Sequence, residues 1–237
     1  MIEPRPGDPR TLHLQRNLAV NLFIEGMWGF AMACTSLMTV VAALLRELKA
    51  PGLVIGALPA AALVGGALTE IPGAMFFRRL RRRKWAFVLA LLPIGALWVA
   101  AGLAVRHIGA TRPGLAVGLV IVFVGGTALA GGLVMPGWAD FLNRMFPPSY
   151  RGRAMGAMGA SVGSMMLLGG LYAAAILRQY PGTEGFGLLF VVAGVLMLVA
   201  SVSYAPVVEA ELAPAGPVDV RGAARLLLTR GSPWGRL

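Results

Sequence analysis

Charge is scarce in this chain. Of its 237 residues only 13% are Asp, Glu, Lys or Arg, about half the ~25% of a soluble domain. That shortage excludes an ordinary water-exposed surface. Acids are scarcer still, 10 against 21 Lys and Arg. The single cysteine, Cys34, can form no intrachain disulfide and reads as a small buried hydrophobe. Both histidines, His13 and His107, lie in polar segment ends without a second ligand nearby, so no metal site is expected. The sequence holds no phosphate loop with its lysine, no Ser-His-Asp set and no zinc-spaced cysteines. No cofactor and no enzymatic chemistry are expected.

What is present is apolar. The chain is 57% hydrophobic with 32 glycines, and its mean hydropathy is +0.75. A bilayer core of about 30 Å takes roughly 20 mostly apolar helical residues, and six runs meet that requirement, at about 18–45, 53–77, 85–105, 114–142, 154–177 and 186–205. The composition therefore predicts an all-α polytopic membrane bundle of six transmembrane helices. The first run exceeds the roughly 7 to 15 apolar residues of a cleaved signal peptide, and reads as a retained span. Ahead of it, 1–17 reads as an irregular lead-in. After the last span, 206–237 reads as a tail in which Arg221, Arg225 and Arg230 beside Leu226 to Leu228 predict a short amphipathic helix on a membrane surface. The third span, free of acid and almost wholly apolar, reads as an outer, lipid-facing helix.

The basic residues fall between the spans, not on one exposed face, which argues against nucleic acid as a partner and for the lipid bilayer. Their densest cluster, Arg78-Arg79-Leu80-Arg81-Arg82-Arg83-Lys84, separates spans 2 and 3. Sixteen of the 21 Lys and Arg lie in the lead-in, the 2-3 loop, the 4-5 loop and the tail. Such a bias marks the cytoplasmic side. It predicts a multi-pass protein of the cell membrane with both termini cytoplasmic.

Polar residues inside the spans are few and ordered. In span 1, Asn17, Asn21, Glu25, Trp28, Met32, Ser36 and Thr39 recur at three or four residues and share one helical stripe. A carboxylate inside a span is costly and faces a cavity or a partner, so Glu25 is the sharpest candidate. It reads either as a functional carboxyl or as a hydrogen-bonded acid that pins packing. Glu70, near the end of span 2, reads as a partner for Arg151 or Arg153, and Asp140 as an interfacial ion pair beside Arg144. Trp138 reads first as an interfacial anchor, with Trp28, Met135 and Trp138 as an alternative lining for an apolar or aromatic solute. Gly152, Gly156, Gly159 and Gly163 recur at spacings of four and three, which lets helix backbones approach closely.

At the 2-3 and 4-5 loops the sequence resembles the amino-terminal half of a major facilitator superfamily (MFS) transporter. Gly73, Arg78, Arg81, Arg82 and Arg83 match the family's 2-3 loop motif, while Phe77 stands at its aspartate and Leu80 at its second glycine. Pro148-x-x-Arg151-Gly152, with Gly156 one turn on, is similar to the family's 4-5 turn, one residue shorter. The family's antiporter signature is absent, since Gly169-Gly170 has no proline after it. The resemblance implies a six-helix half built as a 3+3 inverted repeat, with spans 1 and 4 lining a translocation path and a small-molecule substrate moved by alternating access. It casts Asn21, Glu25, Trp28, Met32 and Ser36 as substrate path or proton-coupling residues. Glu70, Gly73, Arg78, Arg81, Arg82, Asp140, Arg151 and Gly152 become cytoplasmic gating or loop residues. Gly156, Gly159 and Gly163 become helix-packing residues toward a second six-helix half, supplied by a longer chain, a partner chain or a second copy. A membrane scaffold acting through its glycine faces, without transport, is the alternative.

Overall fold

A computed structural model describes residues 9–80 and 83–210. Among them all regular structure is helical, and six helices are long and apolar enough to cross a membrane. Span 1 is Leu14–Glu47, span 2 Gly52–Arg78, span 3 Lys84–Ile108, span 4 Pro113–Met145, span 5 Pro148–Gln179 and span 6 Thr183–Val202. Prolines open spans 4 and 5, where the missing N–H costs nothing and φ is already helical. Span 6 starts after Gly182, whose φ of 72° suits a residue without Cβ.

The helices also take in polar ground next to the apolar runs. Residues 14–17, read as lead-in, belong to span 1, and Pro9–Leu12 before them forms a helical turn. The amphipathic helix expected in the tail lies outside the described residues. Span 1 is not one continuous helix. It breaks at Thr35 and Ser36, where the Thr35 hydroxyl donates to the Ala31 carbonyl at 3.0 Å and Ser36 is extended at ψ 120°. It resumes as a π-helical turn, Leu37–Val41, then as Ala42–Glu47. Beside this break a cleft of about 470 Å³ opens toward span 2, between Met38 and Arg46 on one wall and Gly56 and Leu63 on the other.

The spans pack chiefly as 3 with 6, 1 with 5, 2 with 4, 3 with 4 and 1 with 6. This set maps onto itself when spans 1, 2, 3 are exchanged with 4, 5, 6. Lipid tails are as apolar as the helices, so the pairs are held by close van der Waals packing, which small residues permit. A Cβ on Gly95 would stand 2.8 Å from the Gly194 carbonyl oxygen, and one on Gly194 would stand 2.6 Å from the Gly95 oxygen. Gly102 and Gly187 repeat the arrangement at 2.6 and 2.7 Å. As the number rises along span 3 it falls along span 6, so the two run antiparallel with reciprocal contacts. Span 3 is thus a packed helix on one face, burying Phe87, Leu91, Trp98 and Val105 and leaving Trp85, Leu89 and Leu103 exposed.

At the end that carries the 2-3 and 4-5 loops, aromatic rings fill the bundle. The Phe87 ring lies 5.4 Å from Phe141 and 5.1 Å from Tyr204, edge-on to the latter. Tilted and edge-to-face pairs suit the ring quadrupoles. Spans 2 and 5 are the least covered, burying only Leu58, Gly73 and Phe77 on one and Ala154, Met158, Gly169 and Ala173 on the other among the described residues. Both carry open apolar faces, Leu63, Leu68 and Ile71 on one and Leu167, Leu168 and Leu171 on the other.

Candidate functional site

The polar stripe of span 1 divides into two environments. Toward the loop end Asn17 and Asn21 are buried, at 1% and 0% exposure. Asn17 clasps the backbone of Val208, donating from Nδ2 to its carbonyl at 2.9 Å and accepting its N–H at 3.1 Å. Asn21 donates to the Asn17 carbonyl at 2.7 Å and to the Met145 sulfur at 3.4 Å. In this arrangement both amide nitrogens donate within the chain. Farther along, Glu25, Trp28 and Ser36 are half-buried and Met32 and Thr39 exposed. The stripe leaves the interior as it climbs.

Glu25 is where spans 1 and 4 meet. The Trp138 indole N–H donates to Glu25 Oε1 at 3.1 Å, so this ring turns toward span 1. With Asn21 against Met145 and Glu25 against Trp138, the two spans run antiparallel along this seam. No Lys, Arg or His occurs within the apolar runs of any span. The carboxylate therefore has a neutral donor as its neighbour and no counter-charge at its depth.

A second polar centre lies at the loop end. Asp140 Oδ2 accepts from Arg144 Nε at 2.8 Å and pairs with Arg83 Nη1. Both guanidinium side chains are only 2% exposed, far more buried than the interfacial pair read from the sequence. Arg83 also donates to the Leu80 carbonyl at 3.2 Å. Burial and the nearby Arg144 charge lower the Arg83 pKa to about 10, against an opposing pull from Glu209; it stays charged at neutral pH. The Glu209 carboxylate caps span 3, accepting the backbone N–H of Arg83 at 2.9 Å and of Lys84 at 3.2 Å, where the helix dipole favours negative charge. Lys84 Nζ in turn donates to the Ala205 carbonyl at 2.8 Å. Residues 204–210 are thus tied to spans 1, 3 and 4.

The other expected loop residues are placed as follows. Gly73 is buried, and a Cβ there would collide with the Leu133 backbone of span 4. Phe77, at the motif's aspartate position, is buried against Gly137 and Phe87. Arg78 accepts through its carbonyl from Arg83 at 3.4 Å. Arg151 donates to the Phe146 carbonyl at 3.5 Å. Glu70 is exposed and, among the described residues, joins no ion pair, so the expected contact with Arg151 or Arg153 is not formed. Arg81 and Arg82 lie outside the described residues. A methyl group added to Gly152, Gly156, Gly159 or Gly163 would meet nothing within 4 Å, while span 5 meets span 1 through Ser161, Val162 and Gly169. Among the described residues the face of those four glycines is open.

Sequence reasoning missed the burial of Arg83 and Arg144, Glu209 as the cap of span 3, and Trp138 as the partner of Glu25. One signal was available: Asp140 and Arg144 stand four apart on one helix. No grouping of three or more His, Cys, Asp or Glu able to hold a metal occurs among the described residues. No curated protein and no solved structure matches the chain. The family model of the Major Facilitator Superfamily, by contrast, matches residues 26–236. With six membrane-length helices and a match over most of its length, the chain belongs to the Major Facilitator Superfamily of membrane transporters.

Proposed function

We propose that the chain is one half of a secondary transporter that moves a small solute by alternating access, with Glu25 as the group that gains and loses a proton during the cycle. The observation that carries this reading is the Glu25–Trp138 hydrogen bond between spans 1 and 4 at 3.1 Å, at a depth where the apolar runs hold no base to neutralise a carboxylate. A membrane carboxylate without a cationic partner is stabilised by water, substrate or a proton. The self-mapping pattern of packed spans and the reciprocal Gly95–Gly194 and Gly102–Gly187 contacts support a 3+3 inverted repeat. The open faces of spans 2 and 5, with Gly156, Gly159 and Gly163, are the surface offered to a second six-helix half. The Arg83–Asp140–Arg144 set, together with residues 204–210, makes the loop end a cytoplasmic closure.

The test is accumulation of labelled solutes by cells expressing the chain, with and without a pH gradient. For a solute that accumulates, Glu25→Gln abolishes the pH-driven part and leaves solute exchange measurable. Unchanged pH-driven accumulation in that variant overturns the role given to Glu25.

A further inference from the structure

The cleft of about 470 Å³ beside the break in span 1 is apolar along its whole length except for one charge, Arg46. Arg46 and Ile55 line it nearest the turn at 48–51, and Met38 and Leu63 line it eight positions farther from that turn, about 12 Å along a helix. Glycine does not serve close approach at this seam. A Cβ on Gly56 would meet nothing within 4 Å, whereas one on Gly95 would run into span 6. Met38 and Leu63 are both exposed, so the described residues leave the slot open on its outer side.

The charge at the mouth is not spent within the protein. Among the described residues no carboxylate pairs with Arg46. The adjacent Glu47 is turned toward the start of span 6, its Oε1 3.8 Å from where a Cβ on Gly182 would stand. Three positions after Arg46, Lys49 holds φ 57°, a left-handed conformation that ordinarily falls to glycine. Its N–H donates to the Arg46 carbonyl at 2.9 Å, and the Ala50 N–H donates to Leu45 at 2.8 Å, the pair of bonds that closes a helix end. A second cation thus stands where glycine is usual, at the same end of the same helix.

A neutral apolar molecule would leave Arg46 without a partner, and a small soluble anion would leave the apolar walls unused. A zwitterionic headgroup would bring an ammonium toward Arg46 and Lys49. An anionic phospholipid uses every part: a chain fills the slot, and phosphate oxygens accept charge-assisted hydrogen bonds from the guanidinium. Arg46 lies at a span end, the level at which basic groups between membrane helices meet headgroups.

We propose that this cleft holds an anionic phospholipid of the leaflet opposite the 2-3 loop, with one acyl chain between spans 1 and 2 and its phosphate on Arg46. The site is separate from Glu25 and does not depend on the role given to that residue.

The experiment uses the purified full chain in nanodiscs of phosphatidylcholine, doped with a phosphatidylglycerol that carries a photoactivatable diazirine in one acyl chain. Adducts are located by peptide mass spectrometry. The expected result is labelling concentrated on 37–46 and 55–63, competed by unlabelled phosphatidylglycerol and not by further phosphatidylcholine. Arg46→Gln lowers it at least tenfold. Gly56→Leu, which puts a side chain into the cleft and leaves Arg46 in place, gives the same loss. Labelling spread evenly over other exposed apolar positions such as Leu68 and Leu167, equal labelling by the matching phosphatidylcholine probe, or full labelling of either monodisperse variant overturns the proposal. So does displacement by soluble glycerol phosphate, which would make the site one for a free anion.

Discussion

Replacing Gly194 with Ala tests whether the reciprocal glycine contacts hold spans 3 and 6 together. The added methyl would stand 2.6 Å from both the Gly95 oxygen and the Val99 nitrogen. These are backbone atoms of a helix, so no side chain can swing aside. Ordinary contact begins near 3.4 Å, and the two helices must therefore part by about 0.8 Å. A radial gap of 0.5–1 Å forfeits roughly a quarter to a half of the dispersion attraction along the seam, and overpacking of this kind costs about 1–3 kcal/mol. Gly→Ala also favours the helix by up to ~1 kcal/mol, which would blur a single measurement. Gly159→Ala supplies the control, because its methyl meets nothing within 4 Å and the propensity gain is the same. The difference between the two variants is then the packing cost alone, roughly 5- to 140-fold in the folding equilibrium. Unfolding of the purified chain in mixed micelles with increasing SDS measures it. Equal midpoints for the two variants refute the argument.

Other outcomes follow from the loop end. Asp140→Asn removes the shared carboxylate from two buried guanidinium groups, and hydrogen bonds to charged groups contribute about 1.5–3 kcal/mol; with Asp140 itself 39% exposed, a loss near the lower figure is expected in the same unfolding assay. Asn17→Ala frees the Val208 amide, whose hydrogen–deuterium exchange should accelerate at least tenfold while amides in mid-span 6 stay protected. Gly73→Ala should destabilise the chain by about 1–3 kcal/mol through its collision with Leu133, whereas Gly52→Ala, with open space around it, should not.

The spans could be read from the sequence because bilayer thickness sets a length that apolar runs such as 85–105 either meet or miss. The Glu25 stripe was equally legible, since helical spacing brings Asn21, Glu25 and Trp28 to one side whatever surrounds them. The neighbours of each face were not. Lipid and protein interior are both apolar, so nothing in the composition of span 3 separates the buried Leu91 from the exposed Leu89. Glycines show the same limit: a Cβ on Gly95 would run into another backbone and one on Gly159 would meet nothing within 4 Å among the described residues, though both sit in glycine-bearing apolar helices. The Arg83–Asp140 pair joins residues 57 apart in number, and charge alone could not choose Arg83 from the six bases of its cluster.

The break in span 1 has a consequence for how this helix can change. In an unbroken α-helix an inserted residue turns everything beyond it by about 100°, and every contact downstream is lost at once. The extended Ser36 and the π-helical turn after it form a joint that takes up such a slip. Below the joint, Asn17, Glu25 and Gly29 fix the rotation against the tail and spans 4 and 5; above it, the buried Val41, Leu44 and Leu45 set their own. The two parts can therefore vary in length and phase independently, and a single insertion at 35–37 should leave the Glu25–Trp138 seam in register, where the same insertion at 23 would turn Glu25 away from the face set by Asn17 and Asn21.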